Sequence, residues 1–148
     1  METLGKVAVV IPCYRAAGHL DAMLARLVLA LDQLNRPYQV ILIDDGSPDA
    51  TWSVLESARS QYGDKLTCVR LASNIGQHPA ILAAFSFLAP DAEIVVTMDD
   101  DLQHPPESIG ALLAGLDSSS DLVIAAYDRK QHAGWRNASG SLVDSALR

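Results

Sequence analysis

The stretch Val7-Ala8-Val9-Val10-Ile11, which ends at Pro12, decides the fold class of this chain. A continuous apolar run without polar alternation is typical of a strand that is buried on both faces. Comparable runs recur along the chain, at residues 40–43, 66–71, 94–98 and 122–126. We therefore predict five strands, and the absence of a period of two favours a parallel arrangement.

Helical patterns separate these strands. Leucine and methionine recur at helical spacing from Leu20 to Leu34, which predicts an amphipathic helix that ends near Pro37. Further helices are predicted around Leu55, over residues 77–88 and over residues 105–116. Because strands and helices alternate throughout, we predict one α/β domain over residues 1–148, a mostly parallel sheet with helices on both faces.

The composition indicates a packed, acidic domain. Of 148 residues, 49% are hydrophobic and 20% are charged, which excludes a disordered chain. The net charge of −7 argues against a nucleic-acid partner, because such proteins present a basic face. Residues 129–148 carry a net charge of +3 and the rest carry −10. That basic end suits an anionic partner, and a solvated terminal helix explains it equally well.

Two features favour a cytoplasmic chain. Cys13 and Cys68 lack a paired spacing, which suits a reduced compartment. Residues 1–6 are short and polar, so no signal peptide is expected, and no apolar stretch reaches the length of a bilayer span.

Carboxylates follow two of the predicted strands. Asp44 and Asp45 come after the second strand, and Asp99-Asp100-Asp101 comes after the fourth. In open parallel sheets, ligands bind outside the carboxyl ends of the strands, so we expect these acids at one edge of the sheet. Helix capping is an alternative role for Asp44 and the favoured one for Asp49.

Asp99 and Asp101 are the candidate metal ligands. Positions one and three of an extended segment point to the same side, so both carboxylates can reach one ion. Mg²⁺ or Mn²⁺ commonly takes one or two carboxylates together with substrate phosphates. The continuation Leu102-Gln103-His104-Pro105-Pro106-Glu107 makes this pattern more specific than an isolated Asp-x-Asp. His104 and His78 are interpreted as loop residues, and no histidine–carboxylate pair is evident.

Two common nucleotide-binding signatures are absent. The stretch Pro12-Cys13-Tyr14-Arg15-Ala16-Ala17-Gly18 has a single glycine, which argues against a dinucleotide cofactor, and there is no Walker loop. A nucleotide can still bind if Asp44 accepts a base N–H and Tyr14 offers an apolar face.

These stretches resemble the family 2 glycosyltransferases, whose nucleotide-diphospho-sugar transferase fold is the Rossmann-like A type. The matching pieces are Val9-Val10-Ile11-Pro12-Cys13-Tyr14, Ile43-Asp44-Asp45-Gly46-Ser47-Pro48-Asp49, Asn74-Ile75-Gly76-Gln77-His78-Pro79-Ala80-Ile81 and Asp99-Asp100-Asp101-Leu102-Gln103-His104-Pro105-Pro106-Glu107. The last piece is similar to the polyprenyl-phosphate branch, which includes dolichol-phosphate mannosyltransferase. The third is similar to bacterial undecaprenyl-phosphate aminoarabinose transferases. The resemblance implies a donor-binding portion that stops before the acceptor half.

The resemblance also implies roles for single residues. Asp99 and Asp101 would hold Mg²⁺ or Mn²⁺ with Gln103 in support, and Asp100 would at most contact the nucleotide. The residues implied at the base and ribose are Pro12, Tyr14, Asp44 and Asp45, and the loop against the nucleotide is Asn74, Gly76 and Gln77. The implied contacts to the diphosphate or lipid phosphate are Arg129 and Arg136, which join Asp99 and Asp101 as catalytic candidates.

The chain departs from the family's pattern in two places. Relatives often have Gly-Ser-Arg where this chain has Ala125-Ala126-Tyr127-Asp128-Arg129, which leaves the register of the phosphate-binding arginine open. Arg15-Ala16 stands where relatives often have Asn-Glu, at the edge of the donor site.

The implied reaction is an inverting, metal-assisted transfer of a sugar from a nucleoside diphosphate, expected to be UDP, to a polyprenyl phosphate. The full-length protein would then meet the inner face of the cell membrane, where Trp135 would suit the interface, although core packing suits it equally.

A nucleotide-binding module without turnover is the alternative function. A phospho-acceptor signalling domain is disfavoured, because its acid pair would follow the first strand. A homo-oligomer is left open.

Overall fold

The computed structural model describes residues 5–117 and 119–125. The strands and helices are β1 (Lys6–Cys13), α1 (Leu20–Asp32), β2 (Tyr38–Asp44), α2 (Thr51–Tyr62), β3 (Leu66–Arg70), α3 (Gln77–Ala84), β4 (Ala92–Thr97) and α4 (Ile109–Ala114). Short 3₁₀ turns cover Gly63–Lys65, Phe85–Phe87 and Pro106–Ser108. All of these elements belong to one compact unit, Met1–Gly115, and a second unit comprises Leu116–Arg148.

The four strands form one parallel sheet in the order β3-β2-β1-β4. β1 is central, and its residues from Val7 to Cys13 are buried, as expected of a β-branched strand enclosed on both faces. The last residue of β1, Cys13, pairs in register with Asp44 at the end of β2, and Asp44 pairs with Arg70. The predicted parallel sheet is confirmed, and the register brings three strand ends to one edge.

Helices cover both faces of this sheet, as predicted. On one face, α1 buries a stripe of six residues, Leu20, Met23, Leu24, Leu27, Val28 and Leu31. At about 1.5–3 kcal/mol for each fully buried aliphatic side chain, this stripe is a major contribution to the core. On the other face, Ala80 and Ala84 of α3 pack with Val10 of β1 and Ile41 of β2.

β4 is less enclosed than its sequence suggests. Val96 is only 9% exposed and packs in the same core as α1, whereas Val95 is 40% exposed. Glu93, Val95 and Thr97 alternate along β4 and are all exposed, so this face of β4 is left open among the described residues. The apolar run of β4 therefore predicted a strand correctly but overestimated its burial.

Two of the predicted helices are shorter in the structure than the sequence pattern predicted. α3 ends at Ala84 and a 3₁₀ turn follows, whereas the pattern predicted a helix over residues 77–88. The helical backbone as a whole ends at Phe87, because Leu88 is extended with a ψ of 136°. The helix predicted over residues 105–116 begins as the 3₁₀ turn Pro106–Ser108 and continues as α4.

The predicted fifth strand is wrong for residues 122–125, which are not in a strand. Leu122 and Ile124 are each 76% exposed. Apolar composition gives a segment strand propensity, but a strand forms only where the backbone pairs with a neighbour. Ala126 lies outside the described residues. Within the described parts of the chain, no helix is both long and apolar enough to cross a membrane.

Candidate functional site

A cavity of about 340 Å³ lies at the carboxyl ends of β1, β2 and β4. This volume is within the range of about 300–1,000 Å³ that is usual for small-molecule sites. The residues that line it are Pro12, Cys13, Tyr14, Asp45, Asn74, Gly76, Gln77, Asp99, Asp100 and Asp101. Except for Cys13, the sequence predicted each of these as a site residue. The parallel topology therefore brings four separate stretches together at the edge where α/β sheets bind ligands.

Asp45 builds one wall of the cavity by fixing a loop. Its carboxylate is 3% exposed and accepts hydrogen bonds from the backbone N–H of Ile75 at 2.8 Å and of Gly76 at 2.9 Å. The side-chain amide of Asn74 donates to the same carboxylate at 3.1 Å. Hydrogen bonds to an ionised acceptor are stronger than neutral ones, so this cluster sets the position of the loop.

Gly46 lets that loop approach closely. Its φ of +64° is in the left-handed region that favours glycine, and a Cβ there would lie 2.5 Å from the backbone carbon of Ser73. The Asp45-Gly46 turn and the loop of residues 73–76 therefore pack backbone against backbone. The loop ends at Gly76, with φ +97°, and α3 begins at Gln77.

Asp44 lies beneath the site and is not among the residues that line the cavity. It is fully buried, and its Oδ1 accepts the backbone N–H of Ser47 at 2.9 Å. Its Oδ2 has no hydrogen-bond partner among the described residues, although Nε of Arg70 lies 3.3 Å away as an ion pair. Arg70 also lies over the ring of Trp52, 5.8 Å from its centre. The sequence did not identify Arg70, because the pairing of β2 with β3 is what brings it to Asp44.

Asp49 has a structural role, in line with the favoured prediction. Its carboxylate accepts the backbone N–H of Thr51 at 3.2 Å and the Thr51 hydroxyl at 2.6 Å. The hydroxyl of Thr51 in turn accepts the backbone N–H of Ala16 at 2.8 Å, which ties the start of α2 to the loop after β1. The hydrogen bond from Thr51 lowers the pKa of Asp49, as is usual for a carboxylate that accepts donors in its charged form.

The three acids after β4 each have different partners. Asp99 Oδ1 accepts the side-chain amide of Gln77 at 2.5 Å, and His104 Nδ1 lies 3.6 Å from Asp99 Oδ2. His19 Nε2, from the residue that precedes α1, lies 3.5 Å from Asp100 Oδ1. The sequence did not predict that these two histidines would lie beside carboxylates, although neither contact is a hydrogen bond in the described structure. His19 and Asp100 are 81 positions apart, so only the tertiary fold brings them together.

Burial dominates the electrostatics of Asp100 and Cys13. It raises the pKa of the Asp100 carboxyl, with Asp101 adding to the rise and His19 opposing it. It also raises the pKa of the Cys13 thiol well above its ordinary value, and Asp100 and Asp44 add to that rise. Cys13 is 1% exposed, so it contributes a neutral thiol to the cavity wall.

Tyr14 and Arg15 form the outer rim of the site. The Tyr14 ring is 44% exposed, and the Arg15 guanidinium lies over it at 5.4 Å from the ring centre. Arg15 has a φ of 55°, and its backbone N–H donates to the Ser47 hydroxyl at 3.1 Å. The chain departs from the family's pattern at Arg15, and the structure shows that this departure adds a cation beside the tyrosine.

The donor set at the acids suits a cation that is shared with a ligand. No group of three or more His, Cys, Asp or Glu side chains is arranged to hold a metal within residues 5–117 and 119–125. Mg²⁺ seldom relies on an all-protein cage and usually takes one or two carboxylates plus phosphates and water. Asp99 and Asp101 fit that role, since both line the cavity. Asp101 Oδ1 accepts the backbone N–H of Gln103 at 3.0 Å.

Gln103 is not among the residues that line the cavity, and its recorded contact with Asp101 is through its backbone. Arg129 and Arg136 lie outside the described residues, as does Trp135.

Comparison with known proteins places this site in a family. Residues 8–145 match the family described as Glycosyl transferase family 2. The chain is 36% identical over 147 residues to the undecaprenyl-phosphate 4-deoxy-4-formamido-L-arabinose transferase of Enterobacter sp. (strain 638), an alignment that covers 99% of this chain and 44% of that protein. The enzyme of the same name from Aeromonas hydrophila is 39% identical over 141 residues, covering 95% of this chain and 43% of its own. The chain thus spans less than half the length of these curated relatives.

Solved structures agree on the fold. S. aureus TarS 1-349 superposes with a TM-score of 0.56 at 23% identity, covering 74% of this chain and 31% of that chain. TarS 1-349 in complex with UDP-GlcNAc gives a TM-score of 0.52 at 24% identity, covering 65% and 26%. Because the family match extends over nearly all of the sequence, the resemblance is confirmed, and this chain belongs to glycosyl transferase family 2.

Proposed function

We propose that this chain is the donor-binding part of an inverting glycosyltransferase that moves a sugar from a nucleoside diphosphate to a polyprenyl phosphate. The cavity at the strand ends is the observation that carries the proposal, since predicted nucleotide-facing and metal-facing residues line the same space. The names of the relatives support the acceptor, and the UDP-GlcNAc complex of TarS supports the donor class.

The base and ribose would lie against Pro12 and Tyr14. The exposed ring of Tyr14 offers a flat apolar face at the rim of the cavity. Asp44 would accept a base N–H, because its Oδ2 is a buried acceptor that has no hydrogen bond among the described residues, and such atoms are rarely left unsatisfied. The half-exposed side chain of Arg70 would have to move for a base to reach this atom.

The diphosphate would lie near Asp99 and Asp101, with a divalent cation between the two carboxylates and the phosphates. Gln103 is proposed as a supporting ligand. When bound, Mg²⁺ or Mn²⁺ would act as a Lewis acid and stabilise the charge that develops on the leaving diphosphate. Without a cation, bringing a diphosphate to three neighbouring carboxylates would be unfavourable, because like charges repel at short range.

The acceptor would need little help from a base. A polyprenyl phosphate is already an anion near neutral pH, so a strong general base is less necessary than for an alcohol acceptor. Arg129 and Arg136 are proposed to bind the diphosphate or the lipid phosphate through charge-assisted hydrogen bonds. The same proposal places the full-length protein at the cytoplasmic face of the membrane, where its acceptor lies.

Binding of nucleoside diphosphates with and without Mn²⁺ tests the donor site. We expect UDP to raise the thermal unfolding midpoint of the chain only when Mn²⁺ is present, and GDP, ADP and CDP to do so less. A flat response across the panel would contradict the proposal. Metal-dependent UDP binding without transfer to an added polyprenyl phosphate would instead favour the alternative, a module that binds nucleotide without turnover.

A further inference from the structure

Gln77 links the nucleotide loop to the acid triplet. It is the first residue of α3 and lines the cavity, and its amide nitrogen donates to Asp99 Oδ1 at 2.5 Å. Resemblance alone assigns this residue to the nucleotide. In the structure, its side-chain amide is instead bonded to a candidate metal ligand.

The position of Gln77 is determined by the residues that precede it. Asp45 fixes the backbone of Ile75 and Gly76 through two hydrogen bonds shorter than 3 Å. The backbone N–H of Ala80 donates to the carbonyl of Gly76 at 3.1 Å and closes the first turn of α3. The backbone of Gln77 is therefore already fixed, so only the rotamer freedom of its own side chain is lost when its amide binds Asp99.

This hydrogen bond constrains the ways in which Asp99 can bind an ion. The amide of Gln77 occupies one lone pair of Oδ1 and holds the plane of the carboxylate, while His104 Nδ1 lies 3.6 Å from Oδ2. Each oxygen of Asp99 therefore already has a neighbour, and one lone pair of Oδ1 is no longer available to an ion. Symmetric bidentate binding, which would use both oxygens, is disfavoured. Mg²⁺ demands near-octahedral geometry, whereas Ca²⁺ takes six to eight oxygens and readily accepts bidentate carboxylates.

We propose that Gln77 is a positioning residue for Asp99, and that its hydrogen bond makes the acid triplet favour Mg²⁺ and Mn²⁺ over Ca²⁺. The inference rests on the proposed function, because it takes Asp99 as a metal ligand. It goes beyond that function by naming the residue that sets metal selectivity.

Metal binding measured directly tests the inference. The free Mn²⁺ signal in electron paramagnetic resonance would be followed during titration of the chain, and Mg²⁺ or Ca²⁺ would then be added as competitor, with and without UDP. In Gln77→Ala we expect the preference for Mg²⁺ over Ca²⁺ to fall about fivefold, which is the effect of one hydrogen bond. His78→Ala is the matched control, since His78 is the next residue of α3, is exposed and does not line the cavity.

Other results of these titrations would contradict either the role of Gln77 or the proposed function. An unchanged preference in Gln77→Ala, an equal change in His78→Ala, or no Mg²⁺ preference in the parent chain would overturn the role of Gln77. An unchanged preference together with UDP binding that is independent of metal would overturn it while leaving the nucleotide site intact. Conversely, a reduced preference in Gln77→Ala together with no UDP binding would contradict the proposed function and support the role of Gln77.

Discussion

The carboxylate of Asp45 accepts the backbone N–H of Gly76 at 2.9 Å, which joins the end of β2 to the start of α3 across the cavity. The sequence assigned Asp45 to the nucleotide. In the structure, three donors from residues 74–76 already occupy its oxygens. Asp45 therefore shapes the wall of the site, and any contribution to nucleotide binding would pass through the loop that it holds.

Replacing Asp45 with asparagine should destabilise the chain. Asn keeps one acceptor oxygen but turns an amide towards a donor of the loop, so at least one partly buried N–H loses its partner. A hydrogen bond to a charged group is worth about 1.5–3 kcal/mol, and we expect the free energy of unfolding to fall by about 2 kcal/mol. Urea denaturation measures this, with Asp64→Asn as the control because Asp64 is exposed. Equal stability of the two variants would contradict the role given to Asp45.

Gly46→Ala should lower the thermal unfolding midpoint more than Gly63→Ala does. Both glycines have a φ near +60°, so alanine is strained at both positions, and the ψ of −136° at Gly63 does not make that site the milder of the two. A Cβ at Gly63 meets no atom within 4 Å, whereas at Gly46 it meets the backbone of Ser73 at 2.5 Å. We expect Gly46→Ala to unfold at the lower temperature and to bind UDP more weakly. If the two midpoints agree, the close approach of the loop is not required.

The sequence predicted the parts of the fold that depend on patterns along the chain. Runs such as Val7-Ala8-Val9-Val10-Ile11 have a burial pattern that only a central parallel strand satisfies. The cavity was predictable for a related reason, since the carboxyl ends of parallel strands share one edge. Contacts between distant residues were not predictable. The pairing of His19 with Asp100 and that of Arg70 with Asp44 depend on packing and register, which no local pattern encodes.

The false fifth strand has a similar explanation. Residues 122–125 have the apolar composition of a strand, and the same composition produced β1 and β2. What those two strands have in addition is a paired neighbour and a helix that covers them. Strand propensity reflects the fit to such an environment more than a preference of the backbone itself. The exposure of Leu122 and Ile124 shows that composition alone did not supply that environment.

Cys68 should make stability depend on pH under alkaline conditions. Burial raises the pKa of its thiol to about 11 from an ordinary value of 9.0. Above pH 9 the unfolded chain loses the Cys68 proton while the folded chain keeps it, so the free energy of unfolding falls as the pH rises from about 9 to about 11. Urea denaturation across this interval should show a steeper decline in the parent chain than in Cys68→Ala. Parallel declines would mean that Cys68 titrates alike in both states.

Asp101→Ala should abolish the metal-dependent part of nucleotide binding. Asp101 lines the cavity, and of the three acids it alone has no recorded contact with a histidine or glutamine side chain in the described structure. Its carboxylate is therefore the one most available to an ion. Calorimetry with UDP and Mn²⁺ measures the effect, and Asp64→Ala is the control for the loss of a surface charge. If Asp101→Ala still binds UDP and the binding still depends on metal, the assignment of Asp101 as a metal ligand is contradicted.

Arg26 and Glu107 should influence the metal site from a distance. The Arg26 guanidinium binds both carboxylate oxygens of Glu107, with Nε and one terminal nitrogen each at 2.8 Å. This pair attaches the 3₁₀ turn Pro106–Ser108 to α1, while β4 holds the other end of the segment that contains the acid triplet. Both side chains are about half exposed, so the pair contributes little to overall stability. We expect the Arg26–Glu107 pair instead to hold the Asp101 carboxylate in one position.

A charge swap separates that effect from general damage. Arg26→Glu and Glu107→Arg, taken singly, place like charges together, and we expect each to weaken Mn²⁺-dependent UDP binding severalfold while the unfolding midpoint changes little. The double variant restores an oppositely charged pair and should recover part of the lost affinity. The planar guanidinium binds a carboxylate through two parallel hydrogen bonds, so the swapped pair can reproduce this geometry where a lysine could not. If the losses of UDP affinity in the two single variants simply add in the double variant, the ion pair does not position the segment. The apolar contacts of the segment, such as those of Ile109 in the core, would then fix it instead of Arg26.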